Sequence, residues 1–342
     1  MDHFKVLIIA AILISNMSCN SFDSKPLPKE ATVVFYNVEN LFDIYDDPFT
    51  SDNDFTPEGS LNWTKEKYET KLKRIEEVLI SIDPSGPDLI GLCEVENRMV
   101  LEELFQTGQL KNKPYQIIHE DGNDTRGIDM AFVYNPEVFE YDFHQRHEIS
   151  FPWNPDIKSR AIIEIHGKIN NEPITFFLNH WPSRRNGAKK TAKKRFQTAD
   201  VLRKAIEQII SENEDANIVV MGDFNDQPNN KSIKNLIIGI ERPNKSLVLK
   251  NLMSAFHNQN IGTCVYDDKW YIFDQIWASN TLFNTHEPIF IKPSKAYIFQ
   301  NNHVLYNTKD NRSFPHKTYG GDKYYGGYSD HLAVYCRIQL KH

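Results

Sequence analysis

The sequence predicts an α/β fold in which two mixed β-sheets pack face to face with helices on the outside. Two features predict it. Short apolar, β-branched runs recur along the chain and alternate with few, long amphipathic stretches, and in the middle of the chain such runs follow one another at hairpin distances. A doubly wound parallel sheet needs a helix after nearly every strand, which this chain does not supply. With 342 residues, 40% hydrophobic and 25% charged, the chain has material for a sizeable core.

Taken in order, the N-terminus is a separate object. Lys5 precedes the apolar run 6–14 (VLIIAAILI), which is too short to span a bilayer but suits the apolar core of a secretory signal. Cys19 follows it and resembles the lipidation site of bacterial lipoproteins; a plain cleaved signal is the other reading. Residues 1–19 are therefore expected to direct export, to the periplasm or cell surface with a lipid anchor at Cys19. Residues 20–30, rich in Ser, Pro and Lys, read as a tether. The remainder, 31–342, reads as one domain expected to act as a monomer. Removing Cys19 leaves Cys93, Cys264 and Cys336, too sparse a set for a disulfide framework, and no Cys-x-x-Cys or His-x-x-x-His spacing suggests zinc.

Residues 31–40 (ATVVFYNVEN) read as a strand ending in polar residues. The stretch 65–82 places Tyr68, Leu72, Ile75, Val78, Leu79 and Ile82 on one helical stripe behind Thr64 as N-cap. Strands follow at 88–97, 127–134, 160–167 and 173–178, then a helix over roughly 188–211 with Phe196, Ala199, Leu202, Ile206 and Ile209 inward. Strands at 217–221, 271–278 and 331–339 complete the chain.

Five of these apolar runs stop in the same kind of chemistry. They end in Asn37 and Glu39, in Glu94, in His180, in Asp223 and Asn225, and the last begins at Asp330 and His331; Asp274 interrupts the run 271–278. A lone acid in an apolar strand is costly unless paired or bound to a cation. Each residue singly reads as a turn or cap, since Asp and Asn favour turns. Together, at corresponding strand ends, they read as one shared site.

The ordered set N-x-E, E-V-E-N, N-H-x-P-S, G-D-F-N, D-Q-I and S-D-H resembles the endonuclease/exonuclease/phosphatase superfamily over nearly all of residues 31–340, and YNVENLFD with GGYSDH is most similar to its bacterial exported branch. The resemblance implies a four-layer, deoxyribonuclease I-like α/β sandwich and metal-dependent phosphoester hydrolysis. It assigns Asp223 to the attacking water, Asn225 and Asn37 to the phosphate, and His331, oriented by Asp274, to a hydrogen bond with the phosphate. Glu94 would be the principal Mg²⁺ or Mn²⁺ ligand, with Glu39 and Asp330 beside it; hard oxygen donors suit these ions. His180 takes the place of a second histidine near the leaving group, with Asp129 its candidate partner or, alternatively, the ion-pair partner of Arg126. Arg160 matches a phosphate-contacting position.

Net charge is −7, so nothing global attracts a polyanion and any nucleic acid must be met by a local patch. Arg184, Arg185, Lys189, Lys190, Lys193, Lys194 and Arg195 are the candidate, directly after His180. A solvated helix face is the other reading. The expected partner is a nucleic acid, with a small or lipid phosphoester such as an inositol phosphate or sphingomyelin as the alternative.

Overall fold

The computed structural model describes residues 28–238, 249–257, 259 and 261–341. The expected signal segment, Cys19 and most of the expected tether lie outside them; Glu30, expected in the tether, belongs to the first strand. Among the described residues no helix is long and apolar enough to cross a membrane.

In chain order the strands of the first sheet are β1 (Glu30–Leu41), β2 (Leu89–Val95), β3 (Gln116–His119) and β4 (Asp129–Tyr134). The second sheet takes β5 (Phe139–His147), β6 (Ile162–Ile169), β7 (Glu172–His180), β8 (Ile218–Asp223) and β9 (Leu249–Asn251). A hairpin of β10 (Cys264–Tyr266) and β11 (Lys269–Tyr271) precedes β12 (Asp274–Ser279), and β13 (Ile289–Ile298) returns to the first sheet. Two small hairpins, β14 (Leu305–Asn307) with β15 (Ser313–Pro315) and β16 (Tyr319–Gly320) with β17 (Lys323–Tyr324), lead to β18 (Val334–Leu340). The spatial orders are β13-β18-β1-β2-β4-β3 and β5-β6-β7-β8-β12-β9. Each sheet holds one parallel pair, β1–β2 and β7–β8, among antiparallel neighbours.

The strands at the middle of each sheet are apolar on both sides because both faces are covered. Val33, Phe35, Phe176, Leu178, Met221 and Ile276 meet in the core between the sheets. The alternate residues Val34, Tyr36, Ile90 and Leu92 pack outward against helices α1 (Lys65–Ile82) and α2 (Arg98–Phe105). Phe177, Val220 and Trp277 pack outward against α3 (Ala188–Glu212), with Ile233 and Leu236 of α4 (Lys231–Ile238) beside them. The result is helix, sheet, sheet, helix: the four-layer sandwich expected. Helix α1 has the expected bounds and stripe. In α3 the buried stripe includes Arg195, Ala205 and Ile210, while Phe196 and Ile209 are only partly covered. Cys93, Cys264 and Cys336 are buried free thiols.

Candidate active site

Strand direction decides where the polar residues meet. β1 and β2 run parallel and so end at one margin of their sheet, where β18 and β4, antiparallel to them, begin. In the other sheet β7 and β8 end where β12 begins. The two margins face each other, since Asn37 Nδ2 donates to Asp223 Oδ2 at 3.2 Å and His331 Nδ1 lies 2.7 Å from Asp274 Oδ2.

In the second sheet His180, Asp223 and Asp274 are directly opposite one another in register. Opposed residues share a face, and this is the face of Leu178, Met221 and Ile276. The row of polar groups therefore continues the inner core where the apolar residues run out. Gly222 makes the row possible: a Cβ there would lie 2.3 Å from the carbonyl oxygen of Asn179, so only glycine lets β7 and β8 approach this closely ahead of Asp223.

In the first sheet the register of β1 on β2 breaks beyond Asn37. Glu39, Asn40 and Glu94 adopt left-handed backbone angles, with φ of 53°, 54° and 64°. Such values are uncommon outside glycine and cluster at functional sites. By simple alternation Glu94 belongs with Ile90 and Leu92 on the helix-covered face; the irregularity re-aims it towards the cleft. There its Oε1 stands 3.8 Å from His180 Nε2, and its Oε2 accepts from Asn40 N at 3.1 Å.

Asp223 is almost fully buried and heavily held. Its Oδ1 accepts from Asn225 N at 2.8 Å and its Oδ2 from the side-chain amide of Asn225 at 3.2 Å. Asn225 has φ 49° and turns back onto the acid, while Phe224 points to the outer core. The two readings of GDFN, turn and site, are thus the same object. Burial pushes Asp223 up to about 6, partly offset by His331, with Asp274 adding to the rise. Burial alone would depress His331, but Asp274 and Asp223 hold it well above its ordinary value. Its Nε2 is 4.0 Å from both Asp223 Oδ2 and Asp330 Oδ1. His180 is held well below 6.5 by burial, with Arg160, Arg126 and His331 acting in the same direction. Its Nε2 lies 3.7 Å from Asp223 Oδ2.

Among the described residues the tight triad of ligating atoms here is Asp223, Asp274 and His331, not Glu39, Glu94 and Asp330. The latter three converge more loosely. Burial and the charge of Asp330 raise Glu39 to about 7, against the pull of Lys71 and Thr318. Asp330 is about half exposed, its side chain 51% accessible, at the mouth. Three oxygen donors in mutual repulsion with an open side fit a divalent cation. Sequence reasoning missed Lys71. Its Nζ, 3.8 Å from Glu39 Oε2, donates to Thr318 Oγ1 at 2.7 Å and to Tyr328 O at 2.8 Å. A cation on the apolar stripe of α1, one turn from Tyr68 and Ile75, was its signal.

Several expectations need correction. Arg160 donates to the carbonyl oxygens of His180 and Trp181, each at 3.1 Å, and pairs with Asp124, so it fixes the end of β7 instead of presenting itself to a phosphate. Arg184 donates to Asn225 O at 2.8 Å and to Asp226 at 2.7 Å, and Arg195, fully buried, meets the other Asp226 oxygen at 2.8 Å. Both are internal struts under the GDFN turn. Arg185, Lys189, Lys190 and Lys193 remain exposed. Asp129 is not the partner of His180, whose Nδ1 has none; it lies 4.0 Å from His119 Nε2, and Arg126 pairs with Asp124 instead.

A profile of the Endonuclease/Exonuclease/phosphatase family matches residues 32–340. No curated protein matches the chain. Among solved structures, an endonuclease/exonuclease/phosphatase family protein of Bacteroides thetaiotaomicron superposes with TM-score 0.58 at 15% identity, covering 92% of this chain and 99% of that one. A mannosyl-6-phosphatase of the same organism gives 0.54 at 16%, covering 91% and 100%. D. rerio TDP2 complexed with a single-strand DNA product gives 0.55 at 12%, covering 92% and 100%. At these identities the structural likeness establishes the fold.

Proposed function

The chain belongs to the endonuclease/exonuclease/phosphatase family and is a phosphoester hydrolase, and we propose that it cleaves phosphodiester bonds of nucleic acid with an activated water. The observation that carries this reading is a cavity of about 410 Å³ opening beside Asp330, walled by Tyr306, Phe314, His316 and Tyr325. Tyr306 and Tyr325 are 54% and 45% exposed. Aromatic faces of this kind stack on bases, and the volume suits one nucleoside. D. rerio TDP2, of the same fold, holds a single-strand DNA product.

The chemistry follows from the residues. Asp223, its carboxylate fixed by Asn37 and Asn225, takes the proton of the attacking water. His331, its Nδ1 tied to Asp274 and held well above its ordinary value by Asp274 and Asp223, donates through Nε2 to a phosphate oxygen. The amide of Asn37, which gives one N–H to Asp223, has a second to offer the phosphate, whereas that of Asn225, expected to contact the phosphate, is taken up by Asp223 Oδ2 and the Trp181 carbonyl. Glu94, Glu39 and Asp330 would hold an Mg²⁺ or Mn²⁺, which would supply neutralisation of the phosphate and of the departing oxygen. His180, held well below its ordinary value by burial, stands between Glu94 and Asp223, 3.8 and 3.7 Å away, where it could assist the leaving group. The apolar run 6–14 and Cys19 support export with a lipid anchor.

A second reading rests on Asp267 and Asp268, which share the wall of that cavity. Carboxylates there repel a neighbouring phosphate and accept from hydroxyls, which favours a phosphorylated sugar or inositol. One panel separates the two: the protein with Mg²⁺ or Mn²⁺ against plasmid DNA, RNA, sphingomyelin, inositol phosphates and a hexose phosphate. Faster turnover of DNA or RNA is expected. Turnover confined to the small phosphomonoesters overturns the nuclease reading and leaves the sugar-phosphate one standing.

A further inference from the structure

Away from the cleft, at the root of the turn joining β3 to β4, His119, Asp121 and Asp129 each offer one ligand atom within 4.8 Å of the others. Acids near a histidine are common without consequence, so the state of the histidine decides the matter. The His119 side chain is 3% exposed, its Nε2 has no hydrogen-bond partner among the described residues, and it is aimed at Asp129 Oδ2 4.0 Å away. A buried ring nitrogen left unpaired is costly. A ligand supplies the missing partner.

We propose that His119, Asp121 and Asp129 form a second divalent-metal site, of the kind that takes Zn²⁺. One imidazole with two carboxylates is a mixed donor set suited to zinc and less to magnesium. Ligand atoms on a tetrahedral zinc lie about 3.3–3.4 Å apart, given bonds of about 2.0–2.1 Å. The 4.0 Å gap therefore has to close by about 0.6–0.7 Å, and Asp121, which is exposed, is free to swing in. Burial lowers His119 from 6.5, which keeps its nitrogen available as a lone pair. Arg98 and Arg146 are the opposing charges: Arg146 Nη1 donates to the Asp121 carbonyl at 2.8 Å, and Arg98 Nη1 to that of Ile117 at 3.2 Å. Both are already engaged by acids, Arg98 by Glu102 and Arg146 by Glu148. Gly122 leaves the space beside Asp129: a Cβ there would stand 2.2 Å from Oδ1.

The position gives the ion a task. Residues 120–128 form the loop between its ligands, and Asp124 in that loop pairs with Arg160, which holds the carbonyl oxygens of His180 and Trp181. An ion at the root ties both ends of the loop together and, through Asp124 and Arg160, fixes the end of β7 in the catalytic cleft. Bracing of this sort does not depend on what the substrate is.

The test is metal stoichiometry on the full-length chain by equilibrium dialysis with Zn²⁺, together with hydrogen exchange over residues 120–128. Wild type and Glu94→Gln are both expected to retain a tight zinc, with slowed exchange in the loop on zinc addition. His119→Ala is expected to lose one equivalent and the zinc-dependent protection. Asp121→Asn, an exposed change that leaves the fold alone, is expected to weaken that equivalent at least tenfold. Equal stoichiometry and affinity in wild type, H119A and D121N, or loss of all zinc in E94Q, overturns the site.

Discussion

At the scale of single residues, the weight of the proposed chemistry falls on Asp223. It is buried, opposite Asp274 in register, and held by two asparagines. Asp223→Asn preserves the shape and removes the proton acceptor, so turnover should fall by roughly 10²–10⁴-fold with substrate binding kept. Steady-state kinetics with a separate binding measurement check it; a fall smaller than about tenfold leaves the residue as a turn former only. The identities of the cleft residues were legible because an acid or amide at the end of an apolar run is costly unless it serves something. Their partners were not. The link from Arg160 to β7, 20 residues further on, depends on how two strands lie side by side, and nothing local in the sequence encodes that. Lys71 carried a signal that went unread: a charge on a buried stripe is as informative as an apolar residue on an exposed one.

Among elements, the basic stretch after His180 teaches the same lesson in reverse. Counted as charge it is a patch; counted by helical period, Arg195 falls on the stripe of Ala199, Leu202 and Ile206 and turns inward to Asp226. β5 escaped notice because it is an edge strand, FEYDFHQRH, with too little apolar alternation to register. Its pairing with β6 creates a pH-sensitive contact. Glu164 of β6 sits between His147 Nε2 of β5 and His166 Nε2. Burial would raise this acid, but the hydrogen bonds from the two histidines hold it down at about 2. Its folded value lies below the ordinary 4.5, so its share of stability is fully present above about 4.5 and is lost as pH falls through about 2. Glu164→Gln should therefore flatten the stability–pH curve in that window, read by denaturant unfolding at several pH values. A slope equal to that of wild type would show that the two histidines do not hold the carboxylate.

For the whole molecule, the net charge of −7 sets a condition on the proposed substrate. A polyanion is repelled on average and must be gripped locally, and in the basic stretch after His180 the exposed cations left for that are Arg185, Lys189, Lys190 and Lys193, with Lys194 half covered. Replacing Lys189, Lys190, Lys193 and Lys194 by Gln should weaken DNA binding and lower the salt slope of affinity by about one unit for every phosphate no longer neutralised. Hydrolysis of a small chromogenic diester should hardly change, because these side chains lie outside the cleft. An unchanged slope would make them a solvated helix face. The architecture itself was legible because alternation and helix number constrain layers strongly, whereas strand order is decided by which edges meet late.

That order has a kinetic meaning. β1 and β18 are direct neighbours, with Glu30 opposite Gln339, so the first and last strands of the described chain share one ladder. Asp330 and His331 arrive immediately ahead of β18, and the Ser329 hydroxyl donates to Asn37 O at 2.7 Å, 292 positions back in the sequence. Closing loops of this length is entropically slow and comes late in folding. Until the last strand docks, Asp274 lacks its partner His331. A chain in which β18 has not docked should therefore lack the Asp274–His331 pair and the activity that depends on it.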